Sequence, residues 1–200
     1  MYRYNPVRII VSPAVPVVLA VFICLSSSAI LSATILAALC HELGHYMTVR
    51  LLGGWVDSVT FSALGAEMQI ADEGRLSYGR EILATAAGPM VNLLLSVLMA
   101  TAGRYAAIFY LFAGVQLVLG IFNLLPITPL DGGSILWLFV AWISDPYTAD
   151  RVAANVGLAV ATALLAMAAM AGREIGGNGF VFFMAVWLLL VSLRQKLRLI

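Results

Sequence analysis

Charged side chains are scarce in this sequence. They make up 10% of its 200 residues, against about 25% in a soluble globular domain. Hydrophobic residues reach 62% and mean hydropathy is +1.01. A soluble chain this apolar could not cover its own surface with polar groups, so lipid is the expected solvent for most of it. The net charge of +1 leaves no basic excess for nucleic acid. Cysteine is nearly absent: Cys24 and Cys40 both sit in apolar runs. That excludes a disulfide framework, and both read as buried thiols. On a helix the Cys40 side chain points about 100° away from its neighbour His41, so it is not read as a ligand. No internal repeat or low-complexity linker is visible. The chain reads as one membrane domain over residues 1–200.

A spanning helix needs about 20 mostly apolar residues. Six candidates follow in order: Ile9–Ser28, Ala29–Leu51, Ile82–Ala102, Ala106–Leu125, Arg151–Ala171 and Gly179–Leu193. The first begins with Pro13 and Pro16, where proline is tolerated. It has no small-residue cleavage site and reads as a retained span, not a signal peptide. Between the fourth and fifth spans, Pro126–Pro146 is broken by prolines and glycines and holds a short apolar helix, Ser134–Ile143. The fold class is therefore an all-α polytopic membrane protein.

Six spans place both termini on one side. With the termini inside, Arg3, Arg8, Arg50, Arg75, Arg80, Arg151, Arg194, Lys196 and Arg198 are cytoplasmic. Only Arg104 and Arg173 lie outside. The positive-inside rule then puts both termini in the cytoplasm. The polar insert Leu52–Glu81 contains two alternating runs, Val59–Ala63 and Ala66–Ile70, with the period of half-buried strands. It is read as a short membrane-associated hairpin whose edge could pair with an extended chain; the other reading is a surface loop.

The chain has two histidines, and both fall in His41-Glu42-Leu43-Gly44-His45. Four residues of helix turn through about 400°, so both imidazoles point the same way, one turn apart, and can grip one metal ion. Glu42 lies on the adjoining flank, placed to take a proton from water at that ion. Three ionisable groups inside a span are costly unless they serve a site. Gly44 has room for close helix packing or for a substrate beside the metal.

A catalytic zinc takes three protein ligands and keeps one position open. Most of the remaining acidic residues lie in the polar insert or near span ends. Asp131 stands apart, in the apolar stretch Leu124-Leu125-Pro126-Ile127-Thr128-Pro129-Leu130-Asp131-Gly132-Gly133, and is the candidate third ligand. The alternative is an N-cap for Ser134–Ile143.

These motifs resemble those of the site-2 protease family of intramembrane metalloproteases. His41–His45 matches its first motif and Asn123–Gly132 its second, N-x-x-P-x-x-P-x-D-G. Gly88-Pro89-Met90-Val91-Asn92 resembles the G-P-x-x-N between them. The matched part runs from about Ala29 to Gly133, and the compact chain is similar to the smaller prokaryotic branch, here without a PDZ or CBS domain. The resemblance implies a three-helix catalytic core and one zinc per chain, held by His41, His45 and Asp131, with Glu42 activating water. It implies substrate-binding roles for Asn123 and Asn92. Otherwise Asn92 would bond a neighbouring helix, Asn123 would cap the fourth span, and Gly88-Pro89 would start or kink the third. The insert Trp55–Ile70 resembles the family's β-element. The implied function is intramembrane cleavage of membrane-embedded protein substrates, with room for a regulatory membrane partner. The rivals are a metal transporter, which predicts inverted repeats that are not seen, and an inactive scaffold, which the intact Glu42 argues against.

Overall fold

In the computed structural model the described residues are 8–13, 27–62, 65–70, 76–174 and 179–199. They fall into two compact units, one ending at Ile121 and one beginning at Phe122.

The first unit opens with strand β1, Arg8–Val11. This corrects only the start of the expected span Ile9–Ser28: Ile9–Val11 are extended, and residues 14–26 lie outside those described. Helix α1 is Ser28–Leu51, and the Ser27 hydroxyl caps it by accepting from the Ile30 amide at 3.4 Å. It ends in a Schellman turn. The Gly54 amide donates to Val49 O at 2.8 Å, and the Gly53 amide to Arg50 O at 3.2 Å. Gly53 has φ 85°, a left-handed conformation that glycine adopts at little cost.

That turn feeds β2, Val56–Ser62, which pairs antiparallel with β3, Gly65–Ile70. The expected hairpin is present. Strand β1 adds to it in parallel, giving the order β1-β2-β3. Arg8 forms an ion pair with Asp57 across that junction. Val56 and Ser58 are buried, and the Ser58 hydroxyl donates to Gln69 Oε1 at 3.1 Å. Val49, Val56, Leu76 and Ala84 form a small apolar core between the sheet and the helix ends.

Helix α2, Tyr78–Ala102, packs along α1. Its buried face reads Ala84, Gly88, Asn92, Ser96, one residue per turn. Its outer face carries Leu83, Met90, Leu94, Val97 and Leu98. Small and polar residues are inside and large apolar ones outside, the reverse of a water-soluble helix. Helix α3, Ile108–Asn123, starts in this unit and meets α2 at Gly120, where a Cβ would lie 3.2 Å from Asn92 Cβ.

The second unit holds α4, Asp131–Ile143, α5, Pro146–Glu174, and α6, Gly179–Leu197. Helix α4 begins three residues earlier than expected. Leu130 occupies the N-cap position and Asp131 the first turn, so Asp131 is not the N-cap. The Thr128–Pro129 bond is cis. Ile127 is fully buried and packs with Leu130, Ala161 and Leu188, so α5 and α6 seat the stretch that leads to Asp131.

Asp145 caps α5. Its carboxylate accepts from the Thr148 amide at 2.9 Å and the Thr148 hydroxyl at 2.6 Å, with Pro146 at the first helical position. The Thr148 hydroxyl bond, then the amide bond, holds the Asp145 carboxyl below its ordinary value. Trp137 Nε1 donates to Asp150 Oδ1 at 2.7 Å and ties α4 to α5.

Gly132 and Gly133 make the start of α4 possible. A Cβ on Gly132 would lie 2.1 Å from Leu124 O, and one on Gly133 2.5 Å from Ile127 C. These obstacles are backbone and cannot swing aside. Gly132→Ala is expected to cost about 3 kcal/mol of stability, read as a lowered thermal midpoint in detergent. An unchanged midpoint would mean the loop yields freely.

Among the described residues, two helical segments, Tyr78–Ala102 and Pro146–Met170, are long and apolar enough to cross a bilayer, with 28% and 22% of their apolar windows buried. Ile108–Asn123 and Asp131–Ile143 are shorter apolar helices.

Candidate metal centre

His41 and His45 sit one turn apart on α1, facing α2. His41 is buried, and its Nδ1 lies 2.6 Å from Asn92 Oδ1. The orientation of that amide follows from its other partners. Asn92 Nδ2 lies 3.0 Å from Ala37 O, a carbonyl that can only accept. The NH₂ therefore faces Ala37, Oδ1 faces His41, and His41 Nδ1 carries the proton. His45 Nδ1 donates to Ala84 O at 2.9 Å.

A neutral imidazole whose Nδ1 carries the proton accepts at Nε2. The two Nε2 atoms approach to 3.0 Å, with the ring planes at 83°. Two lone pairs that close repel each other unless a cation or a proton lies between them. Imidazole nitrogens are common zinc ligands, and these two would hold one ion together. Second-side hydrogen bonds of this kind fix ring orientation and raise ligand basicity. The histidine pair fits a metal in donor type, spacing and tautomer.

Gly88 makes the arrangement possible. A Cβ there would lie 2.2 Å from His45 Nε2, so the ring occupies the space of the missing side chain. This corrects the view that Gly88-Pro89 starts the third helix: α2 begins ten residues earlier, at Tyr78. Gly44 serves close packing, since a Cβ would meet Ala87 O and Val91 Cγ2, each at 3.0 Å.

Glu42 is partly buried beside the pair, and Cys40 is a free thiol. Asn92 is fully buried. Its amide bonds His41 Nδ1 and Ala37 O on the neighbouring helix. Gln116 on α3, 2% exposed, accepts from Asn92 Nδ2. Sequence reasoning missed it, although it is the only amide side chain inside the apolar run Ile108–Phe122. Asp131 and Asn123 belong to the second unit. Both are partly buried, Asp131 in the first turn of α4 and Asn123 at the end of α3.

Residues 99–167 match the family model described as peptidase family M50. The chain is 32% identical over 176 residues to Rip3 of Mycobacterium tuberculosis, whose name places it among zinc metalloproteases. The alignment takes in 79% of this chain and 43% of that protein. Over residues 99–167 the chain is similar to peptidase family M50. Among other M50-like relatives, it is 27% identical over 135 residues to the zinc metalloprotease MJ0392 of Methanocaldococcus jannaschii, covering 62% of this chain and 38% of that one. The chain thus spans less than half the length of these curated relatives. The fold is similar to that of the solved site-2 protease from Methanocaldococcus jannaschii, with a TM-score of 0.69 at 18% identity, covering 98% of this chain and 93% of that one. The fold is that of a site-2 protease, mostly helical with a small sheet.

Proposed function

We propose that the chain is a zinc-dependent intramembrane endopeptidase that cleaves membrane-embedded protein segments. The observation that carries this is the pair of histidine Nε2 atoms 3.0 Å apart, with Glu42 next in sequence, on a helix packed against an apolar neighbour whose large side chains face outward.

His41 and His45 would hold the ion from α1, and Asp131 would be the third ligand. An ion held this way supplies two things: it lowers the pKa of a coordinated water towards 7 and it polarises a carbonyl. Glu42 would act as the general base towards water and then as the proton donor to the leaving amine. Asn92 orients His41. Asn123 donates from its amide to the substrate backbone or to the developing oxyanion. A substrate helix has to unwind locally, because its carbonyls are shielded and already hydrogen-bonded.

The proposed architecture is six spans with both termini cytoplasmic in a prokaryotic cell membrane and the site towards the cytoplasmic half. Arginine placement supports that orientation. Helix α1 is long enough to span at about 1.5 Å per residue; its site residues dilute its apolar character.

The test is metal removal. Purified chain in detergent should contain one zinc. Stripping it with a chelator should reduce cleavage of a reporter transmembrane segment at least about 100-fold, and zinc should restore it. Cleavage by metal-free protein would sink the proposal. Metal flux into vesicles without cleavage would favour a transporter instead.

A further inference from the structure

We propose that Gln116 is a positioning residue for His41, acting through Asn92; this rests on the zinc reading above. Three buried polar side chains from three helices form one line. His41 on α1 donates from Nδ1 to Asn92 Oδ1. Asn92 on α2 donates from Nδ2 both to Ala37 O and to Gln116 Oε1. Their exposures are 6%, 0% and 2%, so water does not compete for these groups. Gly120, one turn beyond Gln116, brings α3 to within 3.2 Å of Asn92 Cβ for any added side-chain atom. The helix approach that lets Gln116 reach Asn92 is thus built into the packing.

The physical role follows from the two faces of an amide. Asn92 serves His41 only while its oxygen points at Nδ1. Rotating the amide by 180° would present an N–H to His41 and set Oδ1 against Ala37 O. With Ala37 alone, one hydrogen bond opposes that rotation. With Gln116, both N–H groups are engaged and both bonds would break at once. Locking the amide locks the Nδ1–H tautomer of His41, which makes Nε2 the ligand atom. Gln116 touches neither metal nor substrate in this scheme.

The test uses the full chain with Gln116→Met, which keeps the length and removes the acceptor, and Gln116→Glu, which keeps an accepting oxygen in either protonation state. Because the protein holds two histidines, ¹⁵N-histidine NMR of the metal-free form resolves their tautomers. Wild type and Gln116→Glu are expected to show His41 in the Nδ1–H form. Gln116→Met should show a mixture with Nε2–H and bind zinc about tenfold more weakly in chelator competition, with the metal-free thermal midpoint little changed. Gln116→Met with the wild-type tautomer and zinc affinity would overturn the proposal. So would Gln116→Glu behaving like Gln116→Met. If Gln116→Met does not fold, the tautomer in Gln116→Glu decides. If wild type binds no zinc at all, the zinc reading fails by itself, while the tautomer comparison still judges the relay.

Discussion

Glu42→Gln is expected to keep its zinc and lose about 10³-fold in the rate of peptide hydrolysis. The substitution replaces one oxygen by an NH₂ of similar size. It leaves the histidine pair and the hydrogen bonds from His41 to Asn92 and from His45 to Ala84 untouched. Gln cannot accept a proton at neutral pH, so the step that generates the nucleophile stalls, as does donation to the leaving amine. The loss belongs in kcat, with KM for a reporter segment nearly unchanged. Single-turnover cleavage together with metal content by mass spectrometry reads both halves. A variant that holds zinc and still cleaves at the wild-type rate would remove Glu42 from the mechanism. A variant that loses its zinc would instead make Glu42 part of the metal site.

The second large effect is expected at Gly88, which has no functional group. Gly88→Ala adds a methyl 2.2 Å from His45 Nε2 and 2.6 Å from Cε1, far inside van der Waals contact. Either the ring swings out or α2 moves away. If the ring moves, Nδ1 leaves Ala84 O and Nε2 leaves its partner 3.0 Å away. If the helix moves, Asn92, one turn along the same face, is carried off His41. The first route separates the two nitrogens, and the second removes the hydrogen bonds that orient the two rings. Zinc affinity should fall by about 100-fold, at the upper end of effects from altered ligand support, and cleavage should fall with it. Gly44→Ala on the facing helix is the useful contrast. Its nearest contacts are 3.0–3.2 Å and none of them is a histidine, so it should loosen packing with a smaller loss of metal. Equal zinc binding by Gly88→Ala and wild type would refute the steric account.

Much of this centre was legible before any coordinates, because its signals are local. The four-residue spacing of His41 and His45 is a helix period, and it places two rings on one face whatever surrounds them. The alternation around Val59 and Met68 is a strand period, and the hairpin followed. Where the reading fell short, the information was non-local. Ile9, Ile10 and Val11 look the same at the start of a spanning helix or in a strand. Only pairing with Val59, Thr60 and Phe61, some fifty residues away, distinguishes the two. Gly88-Pro89 suggested a kink because proline announces one. The glycine's purpose shows only once the ring that fills its place is known. Asn92 was read by its motif as a substrate contact, and its bonds to His41 and Ala37, more than fifty residues away, could not be read from that motif. Gln116 looked incidental until Asn92 was seen to face it.

The inverted faces of α2 carry a further consequence for cohesion. Leu94 and Val97 gain little by leaving an acyl chain for a neighbouring helix, since both are equally oily. Solvent aversion therefore cannot press these helices together, and close backbone approach has to do so. The residues that contribute most to that approach are the ones with the least side chain: Ala33 and Ala37 on one helix, Ala84 and Gly88 on the other. Enlarging any of them should open the bundle, while trimming Leu94 to Ala should pass almost unnoticed. Tolerance to mutation would then run opposite to that of a water-soluble enzyme, with the large side chains dispensable and the small ones fixed.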